Sequence, residues 1–206
     1  GVNMQGADPF GLYEWATRIT MRGFQSSQVG QTFDGITLGD MSYGNFNGLN
    51  VGRAVDSDNL SDATVTQGGS ALGTASSNNL GGVVQYTSVD PSNTRGVSLR
   101  QMVGASSARR SSLKFESGLL SSGSTAFKSY LSFSRYDTDK WKGSGERFSP
   151  ARSGLFAQNG LVGGAGEQWM DQVNWKAQLL RGAHKFTAYY NFADKKESDY
   201  TDLTLA

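Results

Sequence analysis

The chain has 206 residues, with 37% hydrophobic residues, 11% aromatic residues, 27 glycines and a formal net charge of +1. The glycine and aromatic content favours an all-β protein over a disordered chain, because disordered segments are poor in aromatic residues. The small net charge argues against nucleic-acid binding, and the absence of cysteine excludes disulfides, thiolate metal sites and cysteine nucleophiles.

The first fifteen residues predict a short strand around Val2 and then a loop, since Asp8-Pro9 is a turn signal. Tyr13 and Trp15 follow near the end of this loop. Two aromatic rings in that position either form part of a binding surface or anchor the loop against the body of the domain.

Residues 17–24 alternate and predict a strand that buries Ile19 and Met21, with Phe24 packed at its end. Arg22 either faces solvent or is a charge inside a packed domain, in which case it needs a carboxylate partner.

Residues 25–31, which include Gln25 and Gln28, predict a polar loop. Residues 32–38 predict a hairpin, because Asp34-Gly35 between apolar residues is a strong turn signal.

Residues 39–48 predict another loop, in which the Tyr43 and Phe46 rings alternate with Asn45. This combination suits adaptable polar recognition with one or two stacking faces. Residues 51–55 have the composition for a single helical turn.

Residues 62–91 mark a junction between two kinds of structure. A short strand at 63–66 is followed by a glycine-rich turn, the pair Gly81-Gly82 and a second strand at 83–87, and Asp90-Pro91 ends it. The chain before the junction is irregular and rich in glycine, whereas the chain after it alternates over long segments.

Five segments after the junction alternate with a period of two, at residues 97–105, 113–119, 127–134, 173–179 and 185–192. In the fourth, for example, Val173, Trp175 and Leu179 oppose Asn174 and Lys176. A ten-residue strand spans ~33 Å, and a tilt of roughly 40° gives about 25 Å of height, which matches a membrane barrel better than a soluble sandwich. The connections at 121–124 and 181–183 are tight, whereas residues 137–167 form a long one, as expected of short periplasmic turns and longer outer loops.

An open sheet leaves backbone groups unpaired at its edges and cannot span a membrane, so five strands predict a piece of a longer protein. The lack of an initiator methionine at Gly1 agrees. We expect the chain to be all-β dominated, with a small mixed sheet and loops over 1–93 and the first ~5 antiparallel strands of a transmembrane β-barrel over 94–206.

Catalytic and metal motifs are missing from the sequence. The single histidine, His184, falls in a predicted tight turn, and no G-x-S-x-G elbow occurs. Asp137 and Asp139 begin like a calcium loop, but Lys142 and Phe148 stand where glycine and glutamate are required. We therefore expect no enzyme activity, no metal site and no cofactor.

Three features in order resemble the TonB-dependent outer-membrane receptors: Arg22-Gly23-Phe24 after a strand, Asp34-Gly35 in a hairpin, and the junction with Gly81-Gly82. The resemblance covers essentially the whole chain as the later part of a plug domain and the first barrel strands, and it implies a fragment of a ~22-strand barrel. It departs from the family pattern at Gln67, where a second arginine is usual.

The resemblance implies a receptor in the outer membrane of a Gram-negative bacterium, surrounded by outer-membrane lipid. It would bind a scarce nutrient, either a ferric siderophore, cobalamin or an oligosaccharide, and import it with energy from TonB and its inner-membrane complex. The plug loops at 11–15, 25–31 and 40–48 would face outward and bind this ligand through Tyr13, Trp15, Gln25, Gln28, Tyr43, Asn45 and Phe46. Packing and charge contacts between plug and barrel would involve Arg22, Gly23, Asp34, Gly35, Gly81 and Gly82, with Arg22 facing wall carboxylates.

Two other classes are open at this point. A soluble, secreted β-rich binding or adhesion module explains the composition and the alternation, but not the junction or the strand length. A simple diffusion porin explains the strands, but not the ninety-odd residues before them.

Overall fold

The computed structural model of the chain describes residues 2–5, 18–39, 41–42, 45–46, 48–67, 79–139 and 167–197. One short α-helix, α1 (Val51–Ala54), and two 3-10 turns (Ser26–Gln28 and Ser57–Asn59) accompany the strands. The strands, in chain order, are β1 (Val2–Gln5), β2 (Arg18–Met21), β3 (Val29–Phe33), β4 (Ile36–Thr37), β5 (Met41–Ser42), β6 (Asn45–Phe46), β7 (Leu60–Gln67), β8 (Gly82–Ser88), β9 (Arg95–Val103), β10 (Arg109–Ser117), β11 (Leu120–Ser122), β12 (Thr125–Thr138), β13 (Gln168–Arg181) and β14 (His184–Glu197).

The first half of the chain is organised by a mixed four-stranded sheet in the order β4-β3-β8-β7. Strands β3 and β8 run parallel, and the other two pairings are antiparallel. Two small hairpins, β1-β2 and β5-β6, belong to the same half. The small mixed sheet expected for this region is therefore present.

The core of the first half lies against this sheet and contains Met21, Val29, Phe33 and Val84, all of which are buried. Tyr86 belongs to the same cluster, and burial raises the pKa of its phenol. The predicted burial of Ile19 and Met21 is confirmed, and Phe24 is half-buried.

Most predicted elements of the first half are present, but two loop predictions are wrong. Residues 29–31 belong to β3 rather than to a polar loop, because Val29 and Gly30 pair in parallel with Gly82 and Val83. That pairing is long-range and does not show in the local pattern. Residues 39–48 contain the β5-β6 hairpin rather than loop alone. The helical turn expected at 51–55 is α1.

The second half is an antiparallel six-stranded sheet in the order β14-β13-β12-β10-β9, with short β11 paired to β12. Strands β12, β13 and β14 have 14 residues each. We call the face that contacts the first half the inner face and the opposite one the outer face. The predicted alternation is confirmed: Gln172, Asn174 and Lys176 are buried on the inner face, whereas Leu99 and Phe186 are 69% and 60% exposed on the outer face.

The second alternating segment, expected over 113–119, is interrupted in the structure. β10 ends at Ser117, and Gly118 adopts a φ of +69°. A Cβ at this glycine would lie 2.7 Å from the Arg95 backbone nitrogen, so the chain approaches too closely for any other residue. The strand resumes as β11, and the connection before β12 is the expected tight turn.

No helix in the described part of the chain is long and apolar enough to cross a membrane.

Candidate functional site

The predicted ligand-binding residues fall mainly in places where nothing can be said of their side chains. Tyr13, Trp15 and Tyr43 lie outside the described residues, and Asn45 and Phe46 are placed only by the backbone of β6. The outward ligand site thus stays a prediction.

Gln25 and Gln28 flank the 3-10 turn that leads into β3. The Gln28 Oε1 accepts a hydrogen bond from the Gln25 backbone N–H at 3.1 Å, and the Gln28 carbonyl accepts one from the Gly81 N–H at 2.9 Å. Gln28 therefore shapes the turn, while the Gln25 side chain is exposed.

Arg22 and Gly23 form a tight turn after β2 with φ angles of 51° and 87°. The turn is closed by mutual backbone hydrogen bonds between Met21 and Phe24, at 2.8 and 3.1 Å. Arg22 is exposed and forms no ion pair within the described ranges. Its pairing with a carboxylate stays a prediction.

Asp34 and Gly35 form the predicted turn of the β3-β4 hairpin, with φ angles of 47° and 82°. The Asp34 carboxylate accepts hydrogen bonds from the Ser88 N–H at 2.9 Å and the Ser88 hydroxyl at 2.5 Å. The turn is thereby joined to the end of β8, a contact 54 residues away that sequence reasoning missed.

The Gly81-Gly82 pair allows two close backbone approaches. A Cβ at Gly81 would lie 2.6 Å from the Phe24 Cβ, and a Cβ at Gly82 would lie 2.4 Å from the Thr66 carbonyl oxygen. Gly82 also has a φ of +135°. Only glycine fits both positions without a backbone shift.

The main polar contact between the two halves is formed by residues 50–59, which we call the docking segment. Helix α1 leaves its last carbonyls without partners inside the helix, as every helix does. Side chains of the six-stranded sheet supply those partners. Gln172 donates to the Gly52 and Arg53 carbonyls at 3.0 and 3.2 Å.

Two further side chains complete this capping. The Tyr189 hydroxyl donates to the Ala54 carbonyl at 3.0 Å, and the Asn191 amide donates to the Arg53 carbonyl at 2.7 Å. Tyr189 also packs edge-on against Phe33, with ring centroids 5.1 Å apart. The helix thus lies on the inner face of β13 and β14.

The second part of the docking segment is held by a buried amide cluster. Asn59 is fully buried and donates to the Ser132 hydroxyl at 2.6 Å and to Asn174 Oδ1 at 3.0 Å. The same Asn174 oxygen accepts from the Asp56 N–H at 3.1 Å. Buried polar groups need such partners, and this cluster satisfies most of them.

Charges add to this contact through Asp56 and Asp58. Asp56 is buried and pairs with Arg110, whereas Asp58 pairs with Arg100 and lies 3.4 Å from Arg110. The Ser112 hydroxyl donates to Asp58 at 2.9 Å.

A second charge cluster lies where the two halves join. Asp90 accepts from Lys176 at 2.9 Å, from Gln178 at 2.6 Å and from Lys185 at 3.1 Å. Burial alone would raise the pKa of Asp90, but the two lysines outweigh it and lower the pKa to about 2. Lys176 is buried and also donates to the Ser88 hydroxyl at 2.8 Å, which links this cluster to Asp34.

The ion pairs of Asp56, Asp58 and Asp90 with the six-stranded sheet all have the same polarity. The carboxylates lie in the first half and the cations on the six-stranded sheet, opposite to the arrangement expected for Arg22.

A cavity of about 380 Å³ lies beside the docking segment, between Asp58 and the inner faces of β9, β10 and β12. Arg100, Lys114 and Glu116 line it. The described residues contain no cluster of three or more histidine, aspartate or glutamate side chains that could hold a metal ion.

The comparisons with known proteins agree with this arrangement. Residues 1–83 match the family model of the TonB-dependent receptor plug domain. The chain is also similar to the solved structure of the pyoverdine outer membrane receptor FpvA from Pseudomonas aeruginosa PAO1 bound to pyoverdine. That match has a TM-score of 0.57 at 15% sequence identity and covers 95% of this chain but 24% of that chain, so it supports the fold alone. No curated protein matches the sequence.

Proposed function

We propose that this chain is part of an outer-membrane receptor that imports a scarce nutrient into the periplasm. The proposal starts from the match of residues 1–83 to the TonB-dependent receptor plug domain. TonB-dependent receptors are transporters and not enzymes. In this proposal TonB and its inner-membrane complex are the energising partners, and the surrounding medium is the lipid of a Gram-negative outer membrane.

One observation carries this proposal: the plug packs on the polar face of a sheet whose other face is apolar and exposed. Among described outer-face residues, Val97 is 66% and Val103 is 81% exposed. A wall that is polar towards its contents and apolar outside suits lipid surroundings. We divide the chain into a plug at 1–93 and a wall at 94–206.

The seated plug gives the physical reason for an energy input. Asp56, Asn59 and Asp90 are bonded to the wall by short polar contacts. Such a plug blocks free diffusion, so selectivity comes from binding. Moving it breaks buried polar contacts, which requires work from outside.

The transported nutrient is a ferric siderophore, cobalamin or an oligosaccharide. We place ferric siderophores first, because the similar receptor structure is bound to pyoverdine. The ligand would contact the outward plug loops through Tyr13, Trp15, Gln25 and Gln28, together with Tyr43, Asn45 and Phe46. Arg22 and Gly23 belong to the proposed packing surface between plug and barrel, as do Asp34, Gly35, Gly81 and Gly82.

The direct test is uptake by cells that express the full-length receptor carrying this sequence. Radiolabelled ferric siderophores of the hydroxamate, catecholate and pyoverdine types, cyanocobalamin and maltodextrins form the panel. We expect uptake of one probe that is lost in a strain without TonB. Receptor protein that stays monodisperse without detergent would contradict the proposal and favour a soluble secreted binding module.

The ligand site has its own test. Replacing Trp15→Ala together with Tyr43→Ala removes two stacking faces, and each is worth about 1 kcal/mol or more against an aromatic or sugar ligand. We expect the affinity for the transported probe to fall about tenfold or more in a titration of purified receptor. Tyr190→Ala on the outer face, whose side chain is 54% exposed, is the control and should leave affinity unchanged. Equal affinity of the double variant and the control would argue against these residues.

A further inference from the structure

The cavity beside Asp58 contains a cation that has no plug partner among the residues described. Lys114 forms an ion pair with Glu116 of its own strand at 3.2 Å and lies 4.2 Å above the Tyr130 ring. It lines the same cavity as Asp58, and the cavity is the open space between them. Lys114 is thus paired within its own strand but with no plug carboxylate among the described residues.

Three wall cations follow one another along the inner face of β9 and β10. Arg110 lies nearest the turn at residues 104–108, Arg100 is registered opposite Ser112, and Lys114 is registered opposite Ser98. We call each of these three positions along the strands a level. Two residues along a strand advance about 6.6 Å, so neighbouring levels are separated by roughly that distance. Lys114 occupies the level nearest the tight-turn end, which is the periplasmic end in our proposal.

Among the described residues, the plug carboxylates that reach these three cations use the first two levels. Asp56 pairs with Arg110, and Asp58 pairs with both Arg110 and Arg100. A buried carboxylate that left these arginines without a new partner would carry an uncompensated charge, which is strongly unfavourable. Lys114, one level further along, is the next wall cation that such a carboxylate would meet, and it would share that lysine with Glu116.

We propose that Arg110, Arg100 and Lys114 form a cation ladder along which the Asp56–Asp58 turn of the plug moves towards the periplasm during transport, with Lys114 as the receiving position. This inference rests on the proposed transport function. The cavity of about 380 Å³ supplies the space for the movement.

The other wall contacts of the docking segment also continue beyond their present level. The level of Ser132 and Asn174 is followed by that of Tyr130 and Lys176 in the register of β12 and β13. Each of these side chains carries a hydrogen-bonding group. A segment displaced by one level would therefore meet polar side chains again rather than an apolar surface.

The test replaces a residue that the resting plug does not use. In the full-length receptor, Lys114→Met keeps the apolar stem over Tyr130 and removes the charge. We expect uptake of the transported panel probe to fall about tenfold, with unchanged affinity for it. Lys114→Arg restores the charge and should keep uptake within about twofold of the parent.

Lys128→Gln is the matched control. Its amine is bonded to Asn93 at 3.1 Å, and the residue does not line the cavity. This variant removes one lysine from the same wall, so a general effect of wall charge would slow its uptake of the probe as well. We expect its uptake to equal that of the parent.

A second measurement follows the movement itself and does not depend on how Lys114→Met folds. Ser132 is 7% exposed beneath Asn59, and the 206 residues contain no cysteine. Ser132→Cys in an otherwise unchanged receptor should react with a maleimide dye faster in energised cells supplied with the probe than in cells without TonB. Adding Lys114→Met should abolish this increase.

The outcomes separate the two proposals. If the parent receptor shows no TonB-dependent uptake of any probe, the proposed function fails. If the parent transports normally and Lys114→Met transports equally well, the ladder is wrong while the function stands. If the cysteine of the Ser132→Cys variant reacts with the dye at a rate that does not depend on TonB, the ladder is also wrong.

Discussion

At the scale of single residues, Gly82 determines how closely the plug strands β7 and β8 approach each other. Its φ of +135° is a conformation that side chains other than glycine rarely adopt, and the Thr66 carbonyl lies where a Cβ would be. The strand β7 therefore approaches β8 more closely than any residue with a side chain would permit.

This geometry predicts a large effect for Gly82→Ala. We expect the free energy of plug unfolding to fall by about 1–3 kcal/mol, because strain at a positive φ adds to a backbone clash. Urea titration of the purified receptor, with the plug's susceptibility to protease as readout, measures the change. Gly96→Ala is the matched control, since nothing lies within 4 Å of its Cβ position. Similar unfolding midpoints for both variants would contradict this explanation.

The sequence indicates which residues form turns, but it does not indicate which distant residues form hydrogen bonds with those turns. Asp34-Gly35 and Gly81-Gly82 are recognisable because their chemistry is local. The Ser88 groups that bind Asp34 lie 54 residues away, and nothing near Asp34 specifies them. The resemblance predicts a ligand-binding role for Gln28, and in the structure its amide oxygen accepts a backbone hydrogen bond within its own turn. That bond does not test the ligand role.

At the scale of elements, the docking segment shows how a helix of four residues is stabilised. Helix α1 is far too short to be stable by itself, because helix nucleation is unfavourable. Asn50 caps its beginning through a 2.8 Å hydrogen bond to the Gly52 N–H, and wall side chains cap its end. The wall thus contributes directly to the structure of the plug.

Arg110 gives the sharpest test of this contact. It is 19% exposed and faces Asp56, which is 5% exposed, so Arg110→Met leaves a buried carboxylate without its main partner. We expect plug stability to fall by about 3–5 kcal/mol in the same urea titration.

The control for Arg110→Met is Arg135→Gln on the outer face. Arg135 pairs with Asp171 at 3.1 Å, but the two side chains are 60% and 45% exposed. Exposed pairs contribute roughly 0–1 kcal/mol, so this variant should change little. If the two variants lose the same stability, burial does not determine the strength of these pairs.

The alternation of each long strand, and hence the polarity of each face, was predictable because it has a period of two. The docking of residues 50–59 was not, since its partners on β13 and β14 lie more than a hundred residues away in sequence. The alternation places Asn174 only on a polar face, and the sequence gives no prediction for Gln172. Which polar side chains of two surfaces bond to each other is not encoded by any periodic pattern in the sequence of either surface.

At the scale of the whole molecule, Asp90 joins the plug to the wall. It follows the last plug strand directly and binds Lys176 and Lys185 on two wall strands. Through Lys176 and Ser88 the same cluster reaches the hairpin turn at Asp34. One junction thus connects three parts of the chain.

The lowered pKa of Asp90 predicts how acid affects this junction. Its folded value of about 2 lies below the ordinary value of 3.8, so the contribution to stability is fully present above about pH 4. It is lost as the pH falls from about 4 through about 2, where the carboxylate is protonated in the folded state. We expect Asp90→Asn to lower the plug's unfolding midpoint at pH 6 more than at pH 2. A loss of equal size at both pH values would exclude this role.

The general architecture could be predicted from the sequence, because the change in residue pattern along the chain coincides with the change in sheet type. The junction at 62–91 separates two different patterns, and the structure changes from a mixed sheet to an antiparallel one between β8 and β9. The polarity of the charges between plug and wall could not be anticipated. Arg22 lies in a recognisable turn motif, whereas no local sequence pattern distinguishes Asp56, Asp58 and Asp90 from ordinary loop residues.

The apolar side chains of the outer face form rows that run across the strands. The register aligns Phe127 with Leu179 and Phe186, Leu131 with Trp175 and Tyr190, and Phe133 with Val173 and Phe192. Side chains directly opposite each other on one face of a sheet interact, so each row is continuous over β12, β13 and β14. A charged residue placed in the middle strand of a row would therefore interrupt apolar contacts with both neighbouring strands at once.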